Sequence, residues 1–186
     1  MCALNEVKGM KLYMNEVIKN IVERRSIRKY KSDMVPSELI DEILKAGTYA
    51  PTGMNSQSPI IIAITNKETR DKLSKLNAKI MEVDTDPFYG APVVIVVLAD
   101  KTVPTHIYDG SLVMENMMLA AHSLGLGSCW IHRAKEEFET EEGKEILKSL
   151  GITGEYVGIG HCILGYPDCE KIEAKPRKDN YIYKID

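Results

Sequence analysis

Two uninterrupted apolar runs, Ile60-Ile61-Ile62-Ala63-Ile64-Thr65 and Val93-Val94-Ile95-Val96-Val97-Leu98, limit the possible fold more than any other feature of this chain. A strand with one wet face alternates polar and apolar residues, whereas a continuous apolar run implies cover on both faces. Each run follows a proline, Pro59 or Pro92, a residue tolerated at the first position of a strand. A sheet built on two such strands needs helices against it, and the rest of the sequence supplies them.

Met14, Val17, Ile18, Ile21 and Val22 recur at helical spacing and predict a helix ending near Arg24-Arg25, where cations suit the negative pole of the dipole. A second helix follows Val35-Pro36-Ser37, with Leu39, Ile40, Ile43 and Leu44 as its stripe and Gly47 as its stop. Lys67 to about Met81 reads as a polar helix that turns Leu73, Leu76 and Ile80 inward. Asp109 is the expected N-cap of a helix running to about Leu124. That helix is apolar nearly all round (Leu112, Val113, Met114, Met117, Met118, Leu119), so it is expected to be buried on more than one side, and a dimer interface would help to account for it. Gly125-Leu126-Gly127 breaks it, and Ser128 to Ile131 is a short strand or turn. Thr140 starts another helix that ends at Gly151, and Tyr156 to Leu164 forms a third strand. Tyr181 to Ile185 alternates like a strand, which is marginal unless it joins an existing sheet edge. The fold class expected is α+β, with one central mixed β-sheet flanked by helices. Residues 1–13 read as an arm, and 14–186 as a single domain whose own C-terminal arm begins at about 168.

Composition narrows the function. Hydrophobic residues are 44% and charged residues 27% of the 186, the mix of a soluble globular protein, and the net charge of −3 offers no general attraction for nucleic acid or an anionic membrane. Any anion site must be a local cluster. No apolar run approaches the roughly 20 residues of a membrane helix. The N-terminus lacks the basic-then-apolar order of a secretory signal. Cys2, Cys129, Cys162 and Cys169 have no C-x-x-C spacing, which argues against a zinc site and for a reducing cytoplasm.

The sharpest charge cluster is Arg24-Arg25-Ser26-Ile27-Arg28-Lys29. Arginine forks and a serine hydroxyl suit a phosphate, although on its own this element is more simply read as a solvated helix end. Lys175-Pro176-Arg177-Lys178 is a second basic cluster, readable alone as a soluble tail. Ala50-Pro51-Thr52-Gly53-Met54-Asn55-Ser56-Gln57 offers uncharged amides and hydroxyls that suit the edge of a heteroaromatic ring, or simply form a turn. Two glycine-rich segments, Gly125 to Trp130 and Gly158 to Ile163, break the G-x-G-x-x-G rule, and no phosphate-binding G-x-x-x-x-G-K-[ST] loop exists. Cys129 and His132 lack assured geometry for nucleophilic catalysis. His161 and Cys162 are neighbours on a strand and face opposite ways, and His106 and His122 have no partners at metal-ligand spacing, so no metal is expected.

Taken in order, Glu23 to Tyr30, Ala50 to Pro59, Asn116 to Ala121, Gly125 to Ile131 and Lys175-Pro176-Arg177 make this chain resemble the nitroreductase family of FMN-dependent enzymes, from about Met14 to the C-terminus. The resemblance implies that Arg24, Ser26, Lys175 and Arg177 hold the FMN phosphate with Arg25 close by, and that Arg28 is the cation beside the pyrimidine edge of the ring. Pro51, Thr52, Asn55 and Gln57 match the loop that the family contributes from the partner subunit. Trp130, Ile131, His132 and Arg133 match the segment whose backbone approaches the dimethyl-to-N5 side. The chain departs from the family where Ser58-Pro59-Ile60 follows Gln57 and where Thr52 replaces a frequent serine, which affects the substrate pocket more than the flavin.

The resemblance further implies an intertwined homodimer with FMN at its interface, with Tyr181 to Ile185 exchanged into the partner's sheet. The implied chemistry is ping-pong: NAD(P)H passes hydride to flavin N5 and leaves, and a small electron acceptor such as a nitroaromatic or quinone replaces it, with no side chain as obligatory acid or base. A specialised dehalogenase of the same fold would need a substrate lid, for which Met81 to Gly90 is short. A flavin carrier without activity, or a nucleic-acid binder using the basic clusters, is the non-enzymatic alternative.

Overall fold

The computed structural model describes residues 15–186 in full, together with the backbone of β1 (Glu6–Val7) and β2 (Met10–Lys11), which pair antiparallel. Met14, Cys2 and most of the expected N-terminal arm lie outside the described residues. The first helix, α1 (Glu16–Glu23), opens under a cap from the Asn15 side chain to Val17 N–H and ends at Arg24, as its sequence pattern predicts.

The core sheet has the strand order β3-β4-β6-β5, comprising β3 (Pro59–Ile64), β4 (Val93–Asp100), β5 (Gly127–Ile131) and β6 (Tyr156–Gly165). All three ladders are antiparallel. The α+β class therefore holds, but the parallel component of the expected mixed sheet shrinks to one bridge between Ser26 and Ser128. The two apolar runs differ in their surroundings. β4 is central, and every residue from Val93 to Ala99 is buried. β3 is an edge strand with an exposed Ala63, so it is not buried on both faces as its composition suggests.

Each sheet face is covered. On one side α2 (Ser37–Thr48) and α4 (His106–Ser123) bury Ile40, Ile43, Met114 and Met117 against Ile95, Val97 and Leu164. On the other, α3 (Lys67–Met81), α5 (Ala134–Glu139) and α6 (Glu141–Ser149) cover Val94, Val96, Leu98 and Ile163, with Leu73 and Phe138 joined by Phe88 from the turn before β4. Gly47 does not stop α2. It lies inside that helix, buried where a Cβ would meet Met117 Cγ at 2.8 Å, so glycine here permits close α2–α4 packing. Asp109 is likewise inside α4, in its first turn, while Thr105 occupies the N-cap position. The short α5 is absent from the sequence-based expectation, whereas α6, capped by the Thr140 hydroxyl on Gly143 N–H, matches it.

Among the described residues, α1 and α4 both leave apolar side chains exposed. Val17, Ile18, Ile21 and Val22 leave the α1 stripe exposed, and α4 exposes Ile107, Tyr108 and Leu112. Residues 171–186 are exposed throughout, and Tyr181 to Ile185 forms no strand within its own chain. No helix among the described residues is long and apolar enough to cross a membrane.

Candidate functional site

Residues 24–31 form a strap along the outer edge of β5. Ser26 bridges Ser128 in parallel, and Ile27 N–H donates to the Ser128 carbonyl at 3.0 Å. Gly127 permits this approach, since a Cβ there would lie 2.9 Å from Ile27 Cβ. The strap is tied at its far end to the start of the C-terminal tail. Lys31 N–H donates to the Tyr166 carbonyl and Asp168 N–H to the Lys29 carbonyl, both at 2.9 Å, and Lys29 pairs with the Asp168 carboxylate at 3.0 Å. The Tyr30 hydroxyl donates to the Ile27 carbonyl at 2.6 Å. Burial pushes its pKa far above the ordinary phenol value, so it remains a neutral donor.

Between strap and tail lies a cleft of about 260 Å³ whose polar lining includes Arg24, Arg25, Ser128, His122 and Lys171. Arg24 Nη1, Arg25 Nε and Ser128 Oγ are buried there without a hydrogen-bond partner. Buried donors are nearly always satisfied, so three such atoms beside one cleft fit an anion with several acceptor oxygens, as a phosphate monoester has. The two arginines are not equivalent. Arg25 Nη1 folds back to the Val22 and Arg24 carbonyls at 2.7 and 2.6 Å and caps the C-terminus of α1, which leaves Arg24 with the freer guanidinium. Burial lowers the His122 pKa, and the cations Arg24, Arg25 and Lys171 reinforce this against Glu23, so positive charge converges here in an acidic protein.

The strand that flanks the strap carries the next group of residues. Trp130 is half-buried, with its Nε1 unpartnered, and closes against Gly160, where a Cβ would lie 2.6 Å from Nε1. His132 is exposed at 6.0 Å between ring centroids from Trp130, and both line a groove of about 930 Å³ with His106, Tyr156 and Ile159. Ile131 is buried, and Arg133 adopts a left-handed backbone (φ 79°) as the chain turns into α5. Cys129 is buried beside the strap, and burial raises its pKa despite Arg28, Ser26 and Arg24, so it stays a thiol. Its sulfur points to the Trp130 carbonyl at 3.6 Å and not to His132. Cys162 is pushed up to about 12 by burial. No group of His, Cys, Asp or Glu among the described residues could hold a metal ion.

Behind this segment lies a polar network with no signal in the sequence spacing. His161 and Glu137, both fully buried, bond at 3.0 Å between Nε2 and Oε2. Asn77 donates to the other Glu137 oxygen and to the His132 carbonyl, the latter at 2.9 Å. Its members come from α3, α5 and β6, and only the folded chain brings them together.

The 50–58 loop is built around Asp109. Gly53 N–H, Ser58 Oγ, Thr105 Oγ1 and Ser56 Oγ donate to the carboxylate at 2.9, 2.9, 3.0 and 3.3 Å. Burial pushes this carboxyl up, but the four donors outweigh it and hold it below the ordinary carboxylate value. Met54, Asn55 and Gln57 have left-handed backbones, and Thr52 Oγ1 accepts the Gln57 N–H at 3.1 Å, so the loop is shaped in detail although Pro51, Asn55 and Gln57 are exposed. The loop feeds β3, while the strap borders β5. These are opposite edges of a four-stranded sheet, roughly 14 Å apart at the usual strand spacing. Within one chain the structure therefore brings the strap that carries Arg24, Arg25, Ser26 and Arg28 against Gly127 and Ser128 of β5, the strand that leads into Trp130–Arg133, but not against Pro51, Thr52, Asn55 or Gln57. Lys175 and Arg177 are exposed on the tail, and among the described residues no hydrogen bond or ion pair joins them to the strap.

The family profile described as "Nitroreductase family" matches residues 21–88 and 79–166. A Methanothermobacter thermautotrophicus protein, provisionally named an NADH dehydrogenase/NAD(P)H nitroreductase, is 36% identical over 162 residues, covering 82% of this chain and 78% of that relative. The crystal structure of a nitroreductase with bound FMN from Bacteroides fragilis superposes with a TM-score of 0.84 at 28% identity, covering 92% of this chain and all (100%) of that one. A second FMN-bound nitroreductase, from Desulfitobacterium hafniense, gives 0.82 at 31% identity over 93% of this chain and 100% of its own. The chain is a member of the nitroreductase family, an oxidoreductase family.

Proposed function

We propose that two copies of this chain bind FMN between them and use it to carry hydride from NADH or NADPH to a small electron acceptor, such as a nitroaromatic or quinone, in alternating half-reactions. The observation that carries this reading is the division of the candidate site between opposite sheet edges. The strap edge presents the unpartnered Arg24 Nη1 and Ser128 Oγ, whereas the amide-rich loop lies at the other edge. A second copy would bring the missing half, and the uncovered stripes on α1 and α4 give it apolar surface to bind. FMN-bound relatives of the same fold support the choice of cofactor.

In this reading Arg24 and Ser26 grip the phosphate, joined by Lys175 and Arg177 of the tail, while Arg25 holds the end of α1 beside them. Arg28, exposed on the strap, supplies the fixed positive charge beside the pyrimidine edge. Trp130, Ile131, His132 and Arg133 offer main-chain N–H groups to the ring, and Pro51, Thr52, Asn55 and Gln57 of the other copy close over it. FMN, when bound, supplies the two-electron chemistry, and the chain's task is to bind, orient and tune it. No side chain has to move a proton obligatorily. The tail from about 168 acts as an exchanged arm of a single domain, and Tyr181 to Ile185 pairs with the other copy's sheet. The free thiols Cys129, Cys162 and Cys169 suit a reducing cytoplasm.

Purified protein should be yellow, carry about one FMN per subunit, and oxidise NADH or NADPH with nitroaromatic or quinone acceptors. A colourless protein that cannot be reconstituted with FMN would overturn the reading. Turnover of halogenated phenols in preference to these acceptors would redirect it to dehalogenation.

A further inference from the structure

The buried Asn77–Glu137–His161 network lies behind the segment that the proposed function assigns to the flavin, and the inference drawn from it rests on that assignment. We infer that these three are positioning residues, which hold the carbonyls of Ile131 and His132 and thereby aim the main-chain N–H groups of His132 and Arg133 at the central ring of the flavin.

The argument follows from peptide geometry. In a trans peptide the C=O and the next residue's N–H point in opposite directions. The Ile131 carbonyl faces His161 Nδ1 at 3.4 Å, so the His132 N–H points away from β6. The Ser128 carbonyl, which accepts from Ile27, fixes which edge of β5 faces the strap. By the two-residue alternation of a strand, the His132 N–H belongs to that same edge. The His132 carbonyl accepts from Asn77 at 2.9 Å, so the Arg133 N–H points away from the network as well. Among the described residues neither N–H has an acceptor.

The backbone there is held against its own preference. Arg133 adopts φ 79°, a left-handed conformation that costs of order 1 kcal/mol or more for a residue with a Cβ and persists only where the surroundings fix it. The surroundings do so from both directions. Glu137 N–H donates to the Arg133 carbonyl at 2.9 Å, and α5 is pressed onto β6 at Gly158, where a Cβ would lie 2.2 Å from the Ala134 carbonyl carbon. Glu137 in turn is held by His161 and Asn77, and His161 packs against Phe88 at 5.1 Å between ring centroids. Three polar residues, with Glu137, His161 and Asn77 all fully buried, are a costly way to fill a core. Their shared effect is one fixed orientation of two peptide planes.

An N–H can donate to flavin N5 only while that atom is an acceptor, in the oxidised ring. Correct aim therefore polarises N5 for incoming hydride and favours the oxidised state. Asn77→Leu keeps the volume and removes the donor to His132. FMN should still bind, flavin reduction by NADH or NADPH should slow by about tenfold to 100-fold, and the flavin midpoint potential should become more positive. His161→Phe should act in the same direction, and His161→Gln, which can still reach the Ile131 carbonyl, should restore most of the rate. Hydrogen exchange on the unmutated protein provides a test that needs no variant: FMN loading should protect the amides of residues 132–133. Unchanged reduction rate and potential in folded, flavin-loaded Asn77→Leu would sink the inference, as would amides 132–133 left unprotected by FMN in the unmutated protein. If the unmutated protein takes up no FMN at all, the cofactor assignment itself fails, and the positioning role fails with it.

Discussion

Gly53 N–H donates to the buried carboxylate of Asp109 at 2.9 Å, joining a loop that precedes β3 to the first turn of α4 across 56 residues of chain. The same carboxylate receives Ser58, Thr105 and Ser56, so one residue of the helix determines the shape of the loop that carries Thr52, Asn55 and Gln57. Asp109→Ala leaves these donors without an acceptor in a buried site, and should cost about 3 kcal/mol of stability. Asp109→Asn keeps one acceptor oxygen and should cost less. Urea unfolding gives the stability change, and an FMN titration should show weakened binding in both variants as the loop loosens.

Acid stability should depend on Asp109 together with Asp86. Burial raises the Asp86 carboxyl, but Ser74, Arg70 and the N–H groups of Gly90 and Phe88 outweigh it, so both carboxyls lie below their ordinary value when folded. A depressed folded pKa means that the unfolded chain takes up protons first. The stabilisation is complete above the unfolded value of about 4 and is lost as pH falls through the folded pKa values. Unfolding free energy measured between pH 7 and pH 3 should be flat at first and then fall. Asp109→Asn should flatten the fall, and an identical slope in that variant would show that Asp109 contributes nothing to it.

The two arginines of the cleft should separate by experiment. Arg24→Ala removes a charge-assisted ligand and should weaken FMN binding by about 10-fold to 100-fold, at about 1.5–3 kcal/mol for such a bond. Arg25→Ala should mainly cost about 1 kcal/mol of stability through the end of α1, because its guanidinium bonds Val22 and Arg24 carbonyls. Flavin fluorescence quenching and thermal unfolding, measured on both variants, distinguish the roles.

Sequence patterns reveal elements whose stabilising partners are local. The helices over 67–81 and 141–149 follow from their stripes and caps, and β4 from its apolar run. The same logic overreads β3, because an apolar run does not state whether a neighbouring strand covers its outer edge; Ala63 is exposed there. It misses α5, whose buried face is Ala134, Glu137 and Phe138, since a fully buried glutamate breaks the hydrophobic stripe. Its acceptor role depends on Asn77 and His161, 60 and 24 residues away. Arg24 and Ser26 are conspicuous as charge and hydroxyl in sequence, yet their alignment along β5 is a tertiary property set by Gly127 and Ser128.

Gly158→Ala should be among the most damaging small substitutions outside the proposed site. Its Cβ would come within 2.2–2.5 Å of three backbone atoms of Ala134 and Lys135, none of which can rotate away. Overpacking of this kind costs about 1–3 kcal/mol or more. Gly110→Ala is the comparison: its Cβ would meet Ile159 Cγ1 at 2.5 Å, but that is a side-chain atom and not backbone. A clearly larger fall in Tm for Gly158→Ala is expected.

The uncovered stripe of α1 offers a test of assembly. Ile21 is 49% exposed in the single chain, so Ile21→Glu should leave the subunit folded while placing a charge in the proposed interface. Sedimentation should show a dimer for the unmutated protein and a shift toward monomer for the variant, with loss of FMN following. A variant that stays dimeric would remove α1 from the interface.

The strap has a consequence separate from any ligand. β5 ends the sheet, and an uncovered strand edge presents a row of N–H and C=O groups to any passing chain, a common start for polymerisation. The Ser26–Ser128 bridge and the Ile27 bond occupy part of that row. The strap thus also shields that part of the sheet from edge-to-edge aggregation.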